Sequence, residues 1–292
     1  MNTDTLNVRN LRLGFRDHVS ETQILHGISL RIAPEERVGL VGESGSGKSV
    51  TARAILGLVQ MLRSARLSGD IEFEGRKLAE LSPGRWQELL GTRMSMIFQD
   101  PTSSLNPVFR IGRQFHEVLR RAHPDIGFAD SCSRANSMLS RVSITDPDRI
   151  LHSFPFQLSG GMNQRVMIAM ALANEPALLI ADEPGTALDV TVQDQSLKLM
   201  HKLVGERRTS VLFISHNLGV VREFTERIYV IYRGRIVEEG PTSDIFREPR
   251  HAYTRALMAA VPRITRQGIP EIEDDHGEFL APCEVHSPAG AA

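Results

Sequence analysis

Positions 42–49 read Gly42-Glu43-Ser44-Gly45-Ser46-Gly47-Lys48-Ser49. This run matches the phosphate-binding pattern G-x-x-x-x-G-K-[ST] at every defined position. Its glycines allow a tight turn in which successive backbone N–H groups point inward, towards a bound phosphate. The positive N-terminal end of a following helix would face the same phosphate. Lys48 could then reach the β- and γ-phosphates of a nucleotide, and the Ser49 hydroxyl could bind Mg²⁺.

The flanking sequence favours this interpretation over a chance match by a Gly/Ser-rich surface turn. Residues 38–41 have the apolar character of a buried strand, and residues 49–58 have the character of a helix. A strand, a glycine-rich turn and a helix in that order are the context that the pattern requires.

Short apolar segments alternate with helical stretches along most of the chain, which predicts an α/β fold. Further strands are predicted at 8–13, 24–32, 71–73, 94–98, 177–181 and 211–215, a hairpin at 229–239, and helices at 191–206 and 251–260. Residues 101–157 have no clear strand pattern and are predicted to form an inserted, mainly helical subdomain.

Two adjacent carboxylates, Asp182 and Glu183, end the apolar segment 177–181. At such a strand end Asp182 could hold Mg²⁺ through water, and Glu183 could polarise an attacking water as general base. An acidic loop at a strand end is a common structural alternative. The phosphate-binding motif upstream favours the catalytic interpretation.

The segment Leu158–Arg165 reads LSGGMNQR. Ser159, Gly160 and Gly161 would make an uncluttered helix start, which can offer hydroxyl and N–H donors to a second phosphate group. Alternatively, Ser159 is a simple N-cap for the apolar helix at 166–173.

The segment Leu158–Arg165 resembles the signature sequence of ABC ATPases, and the motifs between about residues 6 and 258 follow the order typical of that family. Four further positions match its motifs: Gln99 the Q-loop, Asp189 the D-loop, His216 the switch histidine and Phe15 the aromatic residue placed against adenine. Each has a structural alternative. Gln99 could be a satisfied polar turn residue, His216 could cap a helix near Asn217, and Phe15 could belong to the core.

The resemblance implies a P-loop NTPase fold with a RecA-like core, an antiparallel β subdomain and the helical insert, within an ATP-binding domain at 6–258. The Pro-, Glu- and Gly-rich extension at 259–292 is predicted to be partly disordered. The resemblance also implies that Mg-ATP binds between two cassettes arranged head to tail.

On this resemblance, phosphate and metal contacts fall to Lys48, Ser49, Gln99 and Asp182, and contacts to the attacking water and γ-phosphate fall to Glu183 and His216. The Ser159-Gly160-Gly161 turn would complete the site of the partner cassette. Transmembrane permease subunits and, indirectly, a solute-binding protein are the further partners implied, at the cytoplasmic face of the inner membrane.

A finer resemblance, to the oligopeptide, dipeptide and nickel importer branch, covers 42–49, 98–107, 215–221 and 248–254. That branch imports peptides, opines, nickel chelates and related solutes. The chain departs from the branch pattern at Gly185, where Thr or Ser is usual, and at Asn217, where Asp is common. Cys283 is the single cysteine of the tail, so no iron–sulfur cluster is expected.

Composition limits the other classes of function. The formal net charge is −1, and the 34 basic residues are spread among acidic ones, which disfavours a nucleic-acid-binding surface. The two cysteines suit a reducing compartment, and we expect neither a secretory signal nor a spanning helix. The alternative function is a soluble ABC ATPase acting on nucleic acid or ribosomes, which usually carries long coiled-coil insertions or two cassettes.

Overall fold

The computed structural model describes residues 3–16, 20–185, 190–260 and 278–286. The chain forms two compact units. The first unit joins the two ends of the chain, Met1–Glu80 and Leu212–Ala292, and the second is the middle, Leu81–Val211. The phosphate-binding motif therefore belongs to the first unit, and the acidic pair belongs to the second.

The strands are β1 (Leu6–Arg16), β2 (Glu21–Ile32), β3 (Arg37–Val41), β4 (Ala65–Phe73), β5 (Arg76–Lys77), β6 (Met94–Ile97), β7 (Leu178–Asp182), β8 (Ser210–Ser215), β9 (Arg227–Tyr232), β10 (Arg235–Pro241) and β11 (Glu284–Val285). The helices are α1 (Lys48–Ile55), α2 (Pro83–Leu89), α3 (Pro101–Ser104), α4 (Ile111–Ala122), α5 (Phe128–Arg141), α6 (Pro147–His152), α7 (Gly160–Leu172), α8 (Val190–Arg207), α9 (Leu218–Phe224), α10 (Thr242–Arg247) and α11 (Ala252–Ala259). Short 3₁₀ segments lie at Leu78–Glu80, Pro155–Gln157 and Glu278–Leu280.

An antiparallel sheet in the order β2-β1-β4-β5 forms one part of the first unit. Val8 of β1 lies opposite Leu30 of β2 on one side and Ile71 of β4 on the other. All three side chains are buried, so this face of the sheet is a hydrophobic core. The strands predicted here are confirmed, and the structure extends each of them.

The other part of the first unit has its strands in the order β11-β10-β9-β3-β8. Strand β3 runs parallel to β9, with Val41 opposite Val230. The predicted hairpin of β9 and β10 is confirmed, and Arg233 and Gly234 connect its strands with φ angles of 43° and 72°. Two positive φ angles in succession are typical of the tight two-residue hairpin turn.

In the second unit, β6 and β7 pair in parallel. Residues 101–157 form only helices and turns, which confirms the predicted helical insert. In α4 the side chains of Ile111, Phe115 and Leu119 are buried at intervals of four residues, so one face of this helix packs inward. The helix predicted at 191–206 is also confirmed as α8.

Within the extension at 259–292, residues 278–286 pack against the rest of the first unit, and partial disorder of the extension stays a prediction. Phe279 is buried there, β11 pairs in parallel with β10, and His286 is 5% exposed. A buried aromatic residue, a short strand pairing and a buried polar contact attach this stretch, and none of them stands out in a Pro- and Glu-rich sequence. The domain boundary at 258 stays a prediction. None of the described helices combines the length and apolarity that a membrane span requires.

Candidate functional site

The phosphate-binding motif forms the connection between β3 and α1. Gly45 and Gly47 have φ angles of 80° and 109°, which only glycine adopts readily. Gly42 is needed for a different reason, because a Cβ atom on it would lie 2.1 Å from the carbonyl oxygen of Ile231. The motif therefore requires glycine for space at its start and for backbone conformation further along.

Lys48 is the first residue of α1 and is only 5% exposed. Its Nζ atom donates hydrogen bonds to the carbonyl oxygens of Gly42, at 2.9 Å, and of Glu43, at 2.7 Å. The cation is thereby held against the loop, at the positive end of α1. A helix N-terminus and a lysine together provide the positive potential that a phosphate group requires.

The β9–β10 hairpin supports this loop from within the same unit. The Gly234 N–H donates to the Ser46 carbonyl oxygen at 2.8 Å. On β2, the Leu25 side chain would contact a Cβ atom on Gly47 at 2.9 Å. The loop is therefore packed against β2 and the β9–β10 hairpin.

The acidic pair lies at the carboxyl end of β7 in the second unit. Asp182 is the last residue of the strand and is buried, and Glu183 follows it half-buried. The Nε2 atom of Gln99 donates to Oε2 of Glu183 at 3.1 Å. The structure thus joins the predicted Q-loop glutamine to the predicted base, at the ends of parallel strands where α/β folds bind their ligands.

The backbone after Asp182 adopts unusual conformations. Glu183 has a φ of 47°, and Gly185 has a φ of 105°. A Cβ atom on Gly185 would also lie 3.0 Å from Cγ of Gln193 and 3.2 Å from Nε2 of Gln164. Gly185, which stands where the branch usually has Thr or Ser, therefore adopts a backbone conformation that β-branched residues disfavour.

Ser159 caps α7, since its side chain accepts a hydrogen bond from the Met162 N–H at 3.3 Å. Ser159 therefore does cap a helix, and this cap does not exclude a contact with phosphate. Gly160 is exposed and Gly161 half-buried, and a Cβ atom on Gly161 would lie 2.7 Å from Cγ1 of Val192. The predicted contact of this helix start with a second phosphate group stays a prediction.

His216 follows the last residue of β8 and is exposed. The alternative that His216 caps the next helix is wrong, because Asn217 occupies that position. The Asn217 side-chain oxygen accepts from the N–H groups of Gly219, at 3.1 Å, and Val220, at 3.4 Å. Asp and Asn are both good N-caps, so the departure from Asp at this position retains the capping interaction.

Phe15 lies near the end of β1, opposite Thr22 of β2 and Ala65 of β4. Its side chain is half-buried and is not part of the fully buried core. Its contact with adenine stays a prediction. Asp189 and the rest of the predicted D-loop at 186–189 lie outside the described residues.

Sequence reasoning missed Tyr253, whose hydroxyl accepts a hydrogen bond from the Glu43 N–H at 2.9 Å. Burial raises the pKa of Tyr253 well above its ordinary value, so the hydroxyl stays protonated. The two residues are 210 positions apart, and no local pattern could have linked them. The one signal in the sequence is the resemblance of segment 248–254 to the importer branch, which says nothing of a contact with the phosphate loop.

Two family descriptions match the chain. The ABC transporter family matches residues 25–186, and the oligopeptide/dipeptide transporter C-terminal region matches residues 237–287. The chain is 48% identical over 270 residues to a probable peptide ABC transporter ATP-binding protein, y4tR, of Sinorhizobium fredii, covering 91% of this chain and 80% of the relative. It is 45% identical to the oligopeptide transport ATP-binding protein OppD of Bacillus subtilis, covering 92% of this chain and 75% of the relative.

Among solved structures, the chain is similar to the ATP-binding cassette MJ0796, determined as a post-hydrolysis dimer bound to ADP and Pi. The TM-score is 0.70 at 26% identity, covering 81% of this chain and 98% of that one. The match confirms the cassette fold that the sequence motifs predict. With the phosphate loop, the acidic pair and the capped Ser-Gly-Gly helix all formed, this chain belongs to the ABC transporter family, as one of its ATP-hydrolysing cassettes.

Proposed function

We propose that the chain energises an importer of peptides or of related small solutes, such as opines and nickel chelates, by hydrolysing Mg-ATP. The names of its relatives support this, because one is a probable peptide transporter subunit and another an oligopeptide transport subunit. The match of residues 237–287 to the oligopeptide/dipeptide transporter C-terminal region supports the same class of solute.

The observation that carries the catalytic part is the hydrogen bond between Gln99 and Glu183. An amide donor on one carboxylate oxygen fixes the direction of the carboxylate, and a general base must point at its water. Glu183 takes a proton from water as the water oxygen bonds to the γ-phosphorus. The bond from that phosphorus to the bridging oxygen breaks, and its electron pair remains on ADP. His216 is the proposed contact to the γ-phosphate.

Phosphate binding is the proposed task of residues 42–49. Lys48 would exchange its hydrogen bonds with the Gly42 and Glu43 carbonyl oxygens for bonds to the β- and γ-phosphates. That exchange replaces neutral acceptors by charged ones, which strengthens each hydrogen bond. Phe15 and Asp189 are the further proposed nucleotide contacts.

The side chains proposed as magnesium ligands have the chemistry that this ion requires. Mg²⁺ binds oxygen ligands and, in nucleotide sites, takes only one or two carboxylates besides phosphates and waters. The proposed ligands provide one carboxylate, one hydroxyl and one amide oxygen, from Asp182, Ser49 and Gln99. Asp182 is the last residue of β7, in which every residue is buried, so the strand holds its carboxylate in a fixed position. When bound, the ion neutralises charge on the phosphates.

The proposed working form contains two cassettes. Ser159, Gly160 and Gly161 of one cassette would complete the nucleotide site of the other, with the uncovered helix start of α7 directed at the γ-phosphate. The helical insert at 101–157 would contact a permease subunit at the cytoplasmic face of the inner membrane. The dimeric state of the structurally similar cassette MJ0796 supports this arrangement.

A soluble ABC ATPase acting on nucleic acid or ribosomes is the weaker alternative. Its support is limited to the cassette itself, whereas the match at 237–287 and the named relatives favour import.

Reconstitution in vesicles tests the proposal. The chain, its permease subunits and a second cassette should release phosphate faster when a peptide-loaded binding protein is added. The same vesicles with a Lys48→Ala chain are the control. A rate of phosphate release that is unchanged by peptide, opine and nickel chelate, but rises with nucleic acid or ribosomes, would support the alternative function instead.

A further inference from the structure

The first peptide group of the phosphate loop is held from both sides. Its N–H, on Glu43, donates to the Tyr253 hydroxyl, and its carbonyl, on Gly42, accepts from Lys48 Nζ. Lys48 would leave this position to bind phosphate, but Tyr253 would not need to. The tyrosine is therefore a contact that can keep the start of the loop in place while the lysine moves.

The Tyr253 ring is enclosed by two other aromatic rings. It is fully buried, and its centroid lies 4.4 Å from that of Tyr232 and 5.4 Å from that of Phe279. Phe279 also meets Tyr232 edge-on, with centroids 5.4 Å apart and planes at 89°. Offset and edge-to-face contacts of this kind fix ring positions, so the hydroxyl is presented to the loop in one orientation.

The backbone that carries Tyr253 is fixed by buried polar groups. The Tyr253 N–H donates to Nδ1 of His251, the N-cap of α11, at 3.2 Å. Burial lowers the pKa of His251, which keeps its ring neutral and able to accept this bond. The N–H of His251 in turn donates to Glu238 of β10 at 3.1 Å.

Glu238 connects this helix start to the C-terminal segment 278–286. Its carboxylate is fully buried and accepts from the Arg250 N–H at 2.9 Å and from His286 Nε2 at 2.6 Å. Burial acts to raise the pKa of Glu238, but its hydrogen bonds outweigh that effect and hold the pKa below its ordinary value. The segment is thus attached at both ends, through Phe279 and through His286.

We propose that Tyr253 is a positioning residue for nucleotide binding, which fixes the start of the phosphate loop, and that the C-terminal segment 278–286 holds its ring in place. The inference rests on the proposed function, since it requires the loop to bind ATP. On this proposal the C-terminal segment affects the nucleotide site through Tyr253, whose ring it contacts and whose hydroxyl binds the loop.

The test compares two tyrosine-to-phenylalanine variants of the 292-residue chain. Tyr253→Phe retains the ring and removes the hydroxyl. Tyr229→Phe is the matched control, because its buried hydroxyl accepts from the Arg31 N–H and binds Arg227, away from the loop. Binding of a fluorescent ATP analogue with Mg²⁺ is titrated, and the KM for ATP and kcat are measured in the reconstituted transporter.

Tyr253→Phe should weaken nucleotide binding and raise KM by about three- to tenfold, the equivalent of one hydrogen bond, with kcat little changed. Tyr229→Phe should lower the melting temperature without changing affinity. Equal affinity of Tyr253→Phe and the unaltered chain would overturn the inference. Failure of the unaltered chain to bind the analogue would instead refute the proposed function.

A double-mutant cycle tests the role of the segment. Phe279→Ala should weaken nucleotide binding in the unaltered chain but have little further effect in the Tyr253→Phe chain, because both act through one contact. Leu280→Ala, at an exposed position of the same segment, is the control. If Phe279→Ala impairs folding, Phe279→Leu takes its place. Independent, additive effects of the two substitutions would show that the segment does not act through Tyr253.

Discussion

Gln99 and Glu183 follow the ends of two paired parallel strands, and their side chains form a hydrogen bond. Ile97 of β6 lies opposite Ala181 of β7, and each polar residue comes two positions later in the chain, just after its strand has ended. The parallel pairing places the two chain segments side by side, and Nε2 of Gln99 lies 3.1 Å from Oε2 of Glu183. A change at either residue therefore acts on the same carboxylate.

Glu183→Gln should retain ATP binding and lower the rate of hydrolysis by about 10²- to 10⁴-fold, because the amide cannot accept the proton of the attacking water. Phosphate release and nucleotide titration measure the two effects separately. Glu223→Gln, at an exposed position of α9, is the control and should leave both unchanged. Normal turnover by the Glu183→Gln chain would remove this residue from the role of base.

Lys48→Ala should weaken nucleotide binding by at least about tenfold, since it removes the cation held 2.7 Å from the Glu43 carbonyl oxygen and the charge-assisted bonds it would make to phosphate. Fluorescence titration with an ATP analogue checks this. The control is Lys198→Ala, an exposed lysine paired with Asp194 on α8. An unaltered titration curve for the Lys48→Ala chain would count against the phosphate-loop assignment.

Gly185→Ser should destabilise the chain by about 1–3 kcal/mol, because a side chain would have to adopt a φ near 105° and approach Gln193. Urea unfolding at equilibrium measures the change. Gly205→Ala is the matched control, because a Cβ atom there meets no other group within 4 Å. In the last turn of α8 this substitution should be neutral or stabilising by up to about 1 kcal/mol. Equal stability of the Gly185→Ser and unaltered chains would mean that the backbone can relax at this position.

Asn217→Ala should cost about 0.5–2 kcal/mol of stability through loss of the N-cap of α9, whereas Asn217→Asp should retain the cap. The two variants are compared by thermal unfolding with and without ATP. If Asn217→Asp proves as unstable as Asn217→Ala, then the amide group of Asn217, and not its oxygen, stabilises the helix start.

Glu238→Gln should lower stability by about 1–3 kcal/mol at neutral pH, because the buried carboxylate accepts hydrogen bonds from His286 and from two backbone N–H groups. The folded-state pKa lies below the ordinary 4.5, so this contribution is complete above that value and is lost as the pH falls through the folded pKa. The two chains should therefore converge in stability in acid. A difference that persists unchanged at low pH would contradict the assignment.

Local patterns were sufficient for the phosphate loop and for the strands around it, because glycine spacing and runs of apolar residues express short-range geometry. They were sufficient for the helical insert for the same reason. The motif order identified Gln99 and Glu183, but their direct contact depends on the pairing of β6 with β7, which the sequence does not state.

Contacts between distant segments were beyond sequence reasoning. The residue type of Tyr253 is compatible with a place in the hydrophobic core, and nothing nearby in the chain indicates its hydrogen bond with the Glu43 N–H. The alternative that His216 caps α9 was wrong, because His216 and Asn217 are adjacent and the sequence does not show which of the two caps the helix. The packing of 278–286 was hidden by a composition typical of disorder.

Strand β11 lies outermost beside β10, where it covers part of a row of backbone donors and acceptors at the sheet margin. A chain shortened before residue 278 would leave the edge of β10 unpaired, and unpaired edge strands can pair with strands of other molecules. Removing the C-terminal residues to obtain a smaller protein would therefore favour self-association instead of preventing it.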